Sequence, residues 1–382
     1  MLPALTQTFV RFVRSGQSGG ALLLVCTVGA LILANSPLGP GFAALREAHI
    51  GALSLEHWVN DALMAVFFLM VGLELERELY VGELSNPRNA LLPMFAAAGG
   101  MLAPAAIHFA FNAGLPTRAG FGIPMATDIA FALAVLGTLG NRIPAELKIF
   151  VVAFAVADDL GAVIVIAVAY TTGLSMIHLG GALAVFALLI ACNRVFRVMA
   201  LSPYLLGGAV LWWCLWKAGI HASIAGVLLA FAIPFRSRSA DTPSPSHRLE
   251  QALHVPVAFL VLPLFALANT AIVVDGHSLG AVLDRNGLGI ALGLLLGKPL
   301  GILVACLLAV RSGLCRLPAG IDWHHVAGAG LLGGIGFTMS IFISNLAFAS
   351  QPDLIESSKL AVLVASVLAS VGGLAWFRFR GR

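Results

Sequence analysis

The chain has 382 residues, of which 59% are hydrophobic and 10% charged, and its mean hydropathy is +0.97. A soluble domain carries about 25% charged residues, so this composition excludes an ordinary soluble fold and reads as an all-α polytopic membrane protein. The formal net charge of +4 is spread one or two basic residues per loop, which excludes nucleic acid as a partner and fits a positive-inside distribution.

The apolar windows are continuous rather than alternating, so helices are predicted and barrel strands are not. The first run, Ala21 to Leu33, follows Arg11 and Arg14 and ends at Asn35-Ser36-Pro37 without a small-residue cleavage site. It reads as a membrane helix over 19–34, not as a cleaved signal. Residues 38–56 form an external connection with room for a small hairpin. Further helices are predicted at 57–80, 90–112, 118–139, 146–171, 177–195, 202–216, 220–235, 246–273, 287–310, 323–348 and 358–377, which makes about twelve, with both termini in the cytoplasm. Most of the 22 lysines and arginines then face the cytoplasm. Arg46, Arg118, Lys217, Arg285 and Lys359 fall outside, and Lys298 is the sole basic residue deep in an apolar run. The polar stretch at about 236–248 reads as a flexible cytoplasmic loop, and 1–382 as a single transmembrane domain. The five cysteines, Cys26, Cys192, Cys214, Cys306 and Cys315, have no disulfide or metal-ligand spacing and read as small buried hydrophobes.

Two predicted helices are interrupted. In the fourth, Gly122 to Asp128 (GIPMATD) places a proline ahead of two residues that favour helix N-caps. In the eleventh, Gly328, Gly330, Gly333, Gly334 and Gly336 lead into Phe337-Thr338-Met339-Ser340, which predicts an unwound stretch. The breaks occupy the middle helix of 3–5 and of 10–12, the pattern of two inverted three-helix repeats with a binding site at their interface.

The charges inside these helices are few: Asp61, Asp128, Asp158, Asp159 and Lys298. One Asp at the centre of a membrane helix costs about 2.5–3.5 kcal/mol on insertion scales, so the adjacent Asp158 and Asp159 require compensation. Neighbours on a helix project about 100° apart, so the two acids cannot address one partner equally. Lys298 keeps its charge by pairing with Asp158 or Asp159, either as a permanent ion pair that only locks helices 5 and 10 together or as part of a working site in which the surplus carboxylate needs a proton or a cation. Asp128 is either an N-cap of the restarted half-helix or a functional charge, two compatible roles, and Asp128 and Lys298 are suited to balance exposed helix ends. Hard cations such as sodium and lithium favour oxygen ligands, which Asp158, Asp159, Thr127 and freed carbonyls supply. Protons and alkali cations would compete for the same oxygens, which is an exchange mechanism.

The sequence resembles the NhaA-type sodium/proton antiporter family nearly end to end. The likeness is carried by Asn60–Phe68 (NDALMAVFF), Val71–Leu75 (VGLEL), Ala126–Ala132 (ATDIAFA), Asp158–Gly161 (DDLG), Gly219–Ala222 (GIHA), Leu262–Ala266 (LPLFA), Gly297–Ile302 (GKPLGI) and Gly334–Ser344 (GIGFTMSIFIS). That family is itself a standard example of inverted repeats with broken helices. The resemblance implies twelve helices that cross at the interruptions of helices 4 and 11. It implies electrogenic export of sodium or lithium against protons by alternating access, in a homodimer of the bacterial inner membrane, with no cofactor. It assigns Asp158, Asp159 and Thr127 to cation and proton binding, and Asp128 and Lys298 to charge compensation, and it pairs the lysine with the first Asp of the two, Asp158. Activation at alkaline pH is implied at a cytoplasmic funnel matched by Glu74, Arg77, Glu78, Glu250 and His254, and at His221. Glu74, Arg77 and Glu78 at i, i+3 and i+4 also fit an ordinary salt-bridged helix end, and His221 a hydrogen-bonded structural histidine. Glu76 beside Arg77 departs from the basic pair common in the family.

Other function classes fit less well. Adjacent aspartates on one helix do not make an aspartic-protease dyad, and His221 and Ser223, two apart, face different directions. A passive cation channel has less need of a buried lysine competing with its acids.

Overall fold

The computed structural model describes residues 2–140, 143–171, 173–236 and 243–380. Much of the predicted cytoplasmic loop, 237–242, lies outside the described residues.

The first apolar run forms α1 (Leu2–Ala34), and a 113° turn at Asn35–Leu38 leads into the short helix α2 (Gly39–Glu47). A hairpin follows, β1 (His49–Ile50) antiparallel to β2 (Leu53–Ser54), with His49 opposite Ser54 and Ile50 opposite Leu53. Gly51 at φ +69° makes its turn, a conformation open to glycine because it lacks a Cβ. The connection at 38–56 therefore holds the hairpin it had room for and a helix that its mixed composition did not reveal.

Next come α3 (Leu55–Tyr80), α4 (Pro87–Phe111), a 3-10 segment (Pro116–Met125), α5 (Ile129–Thr138), α6 (Ala145–Ala169) and α7 (Met176–Arg194). They are followed by α8 (Ser202–Ala218), α9 (Ile224–Ala232), α10 (Pro245–Asn269), α11 (Gly276–Ala281) and α12 (Arg285–Arg311). The chain ends in α13 (Trp323–Gly333), α14 (Phe337–Ala347) and α15 (Pro352–Arg380). Among the described residues seven helices are individually long and apolar enough to cross a bilayer, and three bent pairs raise that to ten. The shorter α8 and α9 stand at the predicted segments 202–216 and 220–235, and neither is long enough by itself to be counted among these spans. The fold is an all-α polytopic membrane protein of the expected class, apart from the two-strand hairpin.

Two boundaries moved for physical reasons. Gly219, at φ +80°, ends α8 in a left-handed cap, and α9 begins only at Ile224. His221 therefore sits in a turn, not in an apolar helix. Helix α15 begins at Pro352, earlier than its apolar run, because proline suits a first turn. Lys359 is thus well inside the helix and only 5% exposed, so it is a second buried lysine and not an external loop charge.

The helices sort into two groups. One holds α4, the 3-10 segment with α5, and α6, packed on α12, α13 with α14, and α15. The other holds α3, α7, α8, α9 and α10, with α3 against α9 and α7 against α8. Helix α1 lies across α5 and α10. Glycines allow a close approach between α4 and α12, where a Cβ at Gly99 or Gly301 would collide with the other residue's carbonyl oxygen. Gly297 likewise lets Pro104 of α4 approach, since its Cβ would stand 2.8 Å from the Pro104 Cα.

Candidate functional site

The site is built where the 3-10 segment and α5 meet α13 and α14. Pro124 and the extended residues Ala126 and Asp128 break the first helix with a 45° bend, and Gly334–Gly336 break the second with a 47° bend. The breaks hydrogen-bond to each other: Asp128 N donates to Ile335 O at 2.7 Å, and Ser340 Oγ to Ile123 O at 2.6 Å. Freed backbone groups are therefore satisfied across the crossing, as the hydrocarbon interior requires.

Asp128 caps both restarted helices. Its Oδ1 accepts from Phe131 N of α5 at 2.9 Å, and its Oδ2 accepts from Thr338 N at 3.1 Å and Thr338 Oγ1 at 2.5 Å in α14. A carboxylate at two helix N-termini meets two positive dipole ends. The N-cap reading and the charge-compensation reading thus describe one arrangement. Thr338, a part of this arrangement, was not singled out in the sequence as a partner of Asp128.

Lys298 is fully buried. Its ammonium donates to Asp158 Oδ2 at 2.7 Å and to the carbonyl of Met125, at the end of the 3-10 segment. Of the two acids, Asp158 is therefore the partner. A cation at that carbonyl also offsets the negative end of the broken helix. A widened π-type turn at Gly293–Gly297 immediately precedes Lys298 and Pro299, whose ring cannot follow a regular turn.

Thr127 Oγ1 donates to Asp158 Oδ2 at 2.7 Å and to Gly333 O at 3.1 Å. Asp158 Oδ2 is thus held by an ammonium and a hydroxyl, while Asp158 Oδ1 and Asp159 Oδ1 are buried without a hydrogen-bond partner. Asp159 lines a narrow cavity of about 50 Å³ with Thr127, Asp128, Thr338, Glu74 and His254. Adjacent on α6, the two acids divide their tasks: Asp158 faces the lysine and Asp159 faces the cavity. Among the described residues no group of three or more His, Cys, Asp or Glu side chains is arranged to hold a metal ion.

The candidate pH-response residues separate. Glu74 and His254 line the cavity. Arg77 pairs with Glu250 and with Glu78, each at 2.8 Å, at the same ends of α3 and α10. Glu78 also accepts from Glu83 N, so this group contains the structural ion pairs as well. His221 stands apart, its ring 6.0 Å from Phe342 and its Nδ1 buried without a partner. Glu76 is buried and accepts from Ser246 Oγ at 2.8 Å, which explains how a carboxylate is tolerated beside Arg77.

Residues 10–377 match the family described as Na+/H+ antiporter 1. The chain is similar to the Na+/H+ antiporter NhaA of Dechloromonas aromatica, with 59% identity over 375 residues, covering 98% of this chain and 96% of the relative. It is 50% identical to the Na+/H+ antiporter NhaA 1 of Flavobacterium johnsoniae over 375 residues, 98% and 97% of the two chains. It is also 50% identical to the Na+/H+ antiporter NhaA of Mesorhizobium japonicum over 373 residues, 96% and 93% of the two chains.

Proposed function

The chain belongs to the Na+/H+ antiporter 1 family, and from that premise we propose that it exports sodium, or lithium, in exchange for protons across the bacterial inner membrane. It is a transporter and not an enzyme, and it needs no cofactor beyond the ions it moves. The observation that carries the reading is the pair of unpartnered buried oxygens, Asp158 Oδ1 and Asp159 Oδ1, with Asp159 on a cavity that reaches Glu74 and His254.

Sodium entering from the cytoplasm is drawn to Asp159, and Asp158 supplies a second carboxylate. The ion competes there with the Lys298 ammonium and the Thr127 hydroxyl for Asp158, since both already donate to its Oδ2. Protons taken up on the outer side displace the ion, and the unit containing the crossed helices rocks back. Two protons entering per sodium moves one net charge inward, so about 2.3 kcal/mol per 100 mV of membrane potential assists export.

Because protons and sodium exclude each other at the carboxylates, raising the pH exposes the site and activates exchange. Glu74, Arg77, Glu78, Glu250 and His254, gathered at one end of α3 and α10, are the groups placed to tune that response. The basic-residue distribution supports cytoplasmic termini, and the family resemblance supports a homodimer.

The test is everted vesicles with an interior-acid pH dye. Sodium should relieve the acidification in the wild type and fail to do so in Asp159→Asn. Sodium flux without proton movement would point to a channel and overturn the exchange reading.

A further inference from the structure

At the end of α10 opposite the pH-response cluster lies a buried polar group that the exchange site does not use. Asn269, the last residue of α10, is 1% exposed. Its Nδ2 donates to Asn60 Oδ1 of α3 at 2.7 Å and to Phe265 O at 3.0 Å. Its Oδ1 accepts from Asn345 Nδ2 of α14 at 2.7 Å and from Lys359 Nζ of α15 at 3.3 Å. Lys359 is 5% exposed and among the described residues no carboxylate lies within ion-pair distance of it. Glu56 and Glu356 attract it from farther away, and Arg46 repels it. Arg46 meanwhile holds the chain that leaves α10, donating to Ala268 O at 3.0 Å and Ala271 O at 3.4 Å.

Two features make this more than a helix tie. First, the ammonium is met by a carboxamide oxygen, the neutral ligand that also suits a passing alkali cation. Second, the contacts join the two helix groups: Asn60 and Asn269 stand on α3 and α10, Asn345 and Lys359 on α14 and α15. Along α14 between Asn345 and Thr338, the partner of Asp128, Phe342 packs against Phe68 at 5.5 Å and Phe265 at 6.3 Å, centroid to centroid.

We propose that Asn269, with Asn60 and Asn345, forms an external cation site that Lys359 occupies as a built-in cation. This holds the two helix groups together until an alkali ion replaces the ammonium. The inference rests on the export reading above for its sense of outside and inside. It differs from that reading in placing a second cation contact on the exit path. It makes Lys359 the competitor for that contact.

The test uses full-length protein in right-side-out vesicles, its five native cysteines replaced by alanine and Ser344→Cys introduced next to Asn345. A membrane-impermeant maleimide is added outside. All measurements are made with Asp159→Asn, so that sodium acts only through the external site. External sodium, against N-methylglucamine, should accelerate labelling. Lys359→Met should label about tenfold faster without sodium, the population change expected when one charge-assisted hydrogen bond is lost, and should no longer respond to sodium. Asn269→Asp, which gives the ammonium a carboxylate, should label more slowly than its parent, a gain of protection that misfolding does not mimic. Sodium-independent labelling of the Lys359 parent, an unchanged rate in Lys359→Met, or faster labelling in Asn269→Asp would each overturn the proposal. Exchange by the wild type in the dye assay reports separately on the export reading.

Discussion

Lys298 Nζ and Asp158 Oδ2 stand 2.7 Å apart with neither side chain exposed, and the same ammonium reaches the Met125 carbonyl. One cation thereby joins α12 to α6 and to the end of a broken helix. Removing one partner of a buried pair leaves the other charge uncompensated, at a cost of about 3–5 kcal/mol. Lys298→Ala should therefore lower the thermal unfolding temperature in detergent. The deficit should be largest at alkaline pH, where Asp158 is left ionised, and should shrink as the pH falls and a proton neutralises it. A deficit independent of pH would show that packing, not charge, is the lysine's contribution.

Asp159 predicts the opposite combination. Its Oδ1 has no partner to lose, and a neutral amide costs less to bury than a carboxylate. Asp159→Asn should abolish exchange while leaving the unfolding temperature equal to or above that of the wild type. Sodium should also lose its stabilising effect, because a ligand that no longer binds the native state no longer shifts unfolding. Scans with and without sodium at alkaline pH measure both.

Asp128 serves two helix ends, so its loss should exceed that of a single N-cap, about 0.5–2 kcal/mol. Asp128→Ala should be more destabilising than Asp128→Asn, whose single carbonyl oxygen retains an acceptor for one of the two helix ends, Phe131 N or Thr338 N, but not for both. A double-mutant cycle with Thr338→Val should show coupling, since Thr338 Oγ1 donates to Asp128 Oδ2. Additive effects would separate the two residues.

The glycine contact behind Lys298 gives a steric prediction. A methyl at Gly301 would strike the Gly99 carbonyl and stand 2.7 Å from Ala103 Cβ. Gly301→Ala should cost about 1–3 kcal/mol, as overpacking does. It should also weaken sodium binding, measured by isothermal calorimetry, because Lys298 is carried one turn away on the same helix. Gly180→Ala in α7, with nothing within 4 Å of the added Cβ, is the control: it should leave sodium binding unchanged and stability equal or raised by up to about 1 kcal/mol.

The position and order of the membrane segments are legible in the chain because hydrocarbon demands long apolar runs whose backbones satisfy themselves, a local requirement. The same requirement marks the breaks at Pro124 and at Gly334–Gly336, and it makes Asp128, Asp158, Asp159 and Lys298 conspicuous as costs needing a remedy. What each charge touches was not legible from local chemistry, and the partner of Lys298 was implied only by the family resemblance. Lys298 and Asp158 are 140 residues apart, and Asp158 rather than Asp159 meets the lysine because packing sets the rotation of α6. Asp128 reaches Thr338 across 210 residues, so its service to a second helix exists only once the breaks cross. Lys359 passed as an external charge because proline extends α15 beyond its apolar run, and its ammonium is met by Asn269 of another helix, 90 residues away. Local chemistry thus determined which groups had to be answered for, while long-range packing, through helix rotation and close glycine contacts, decided which group answers which.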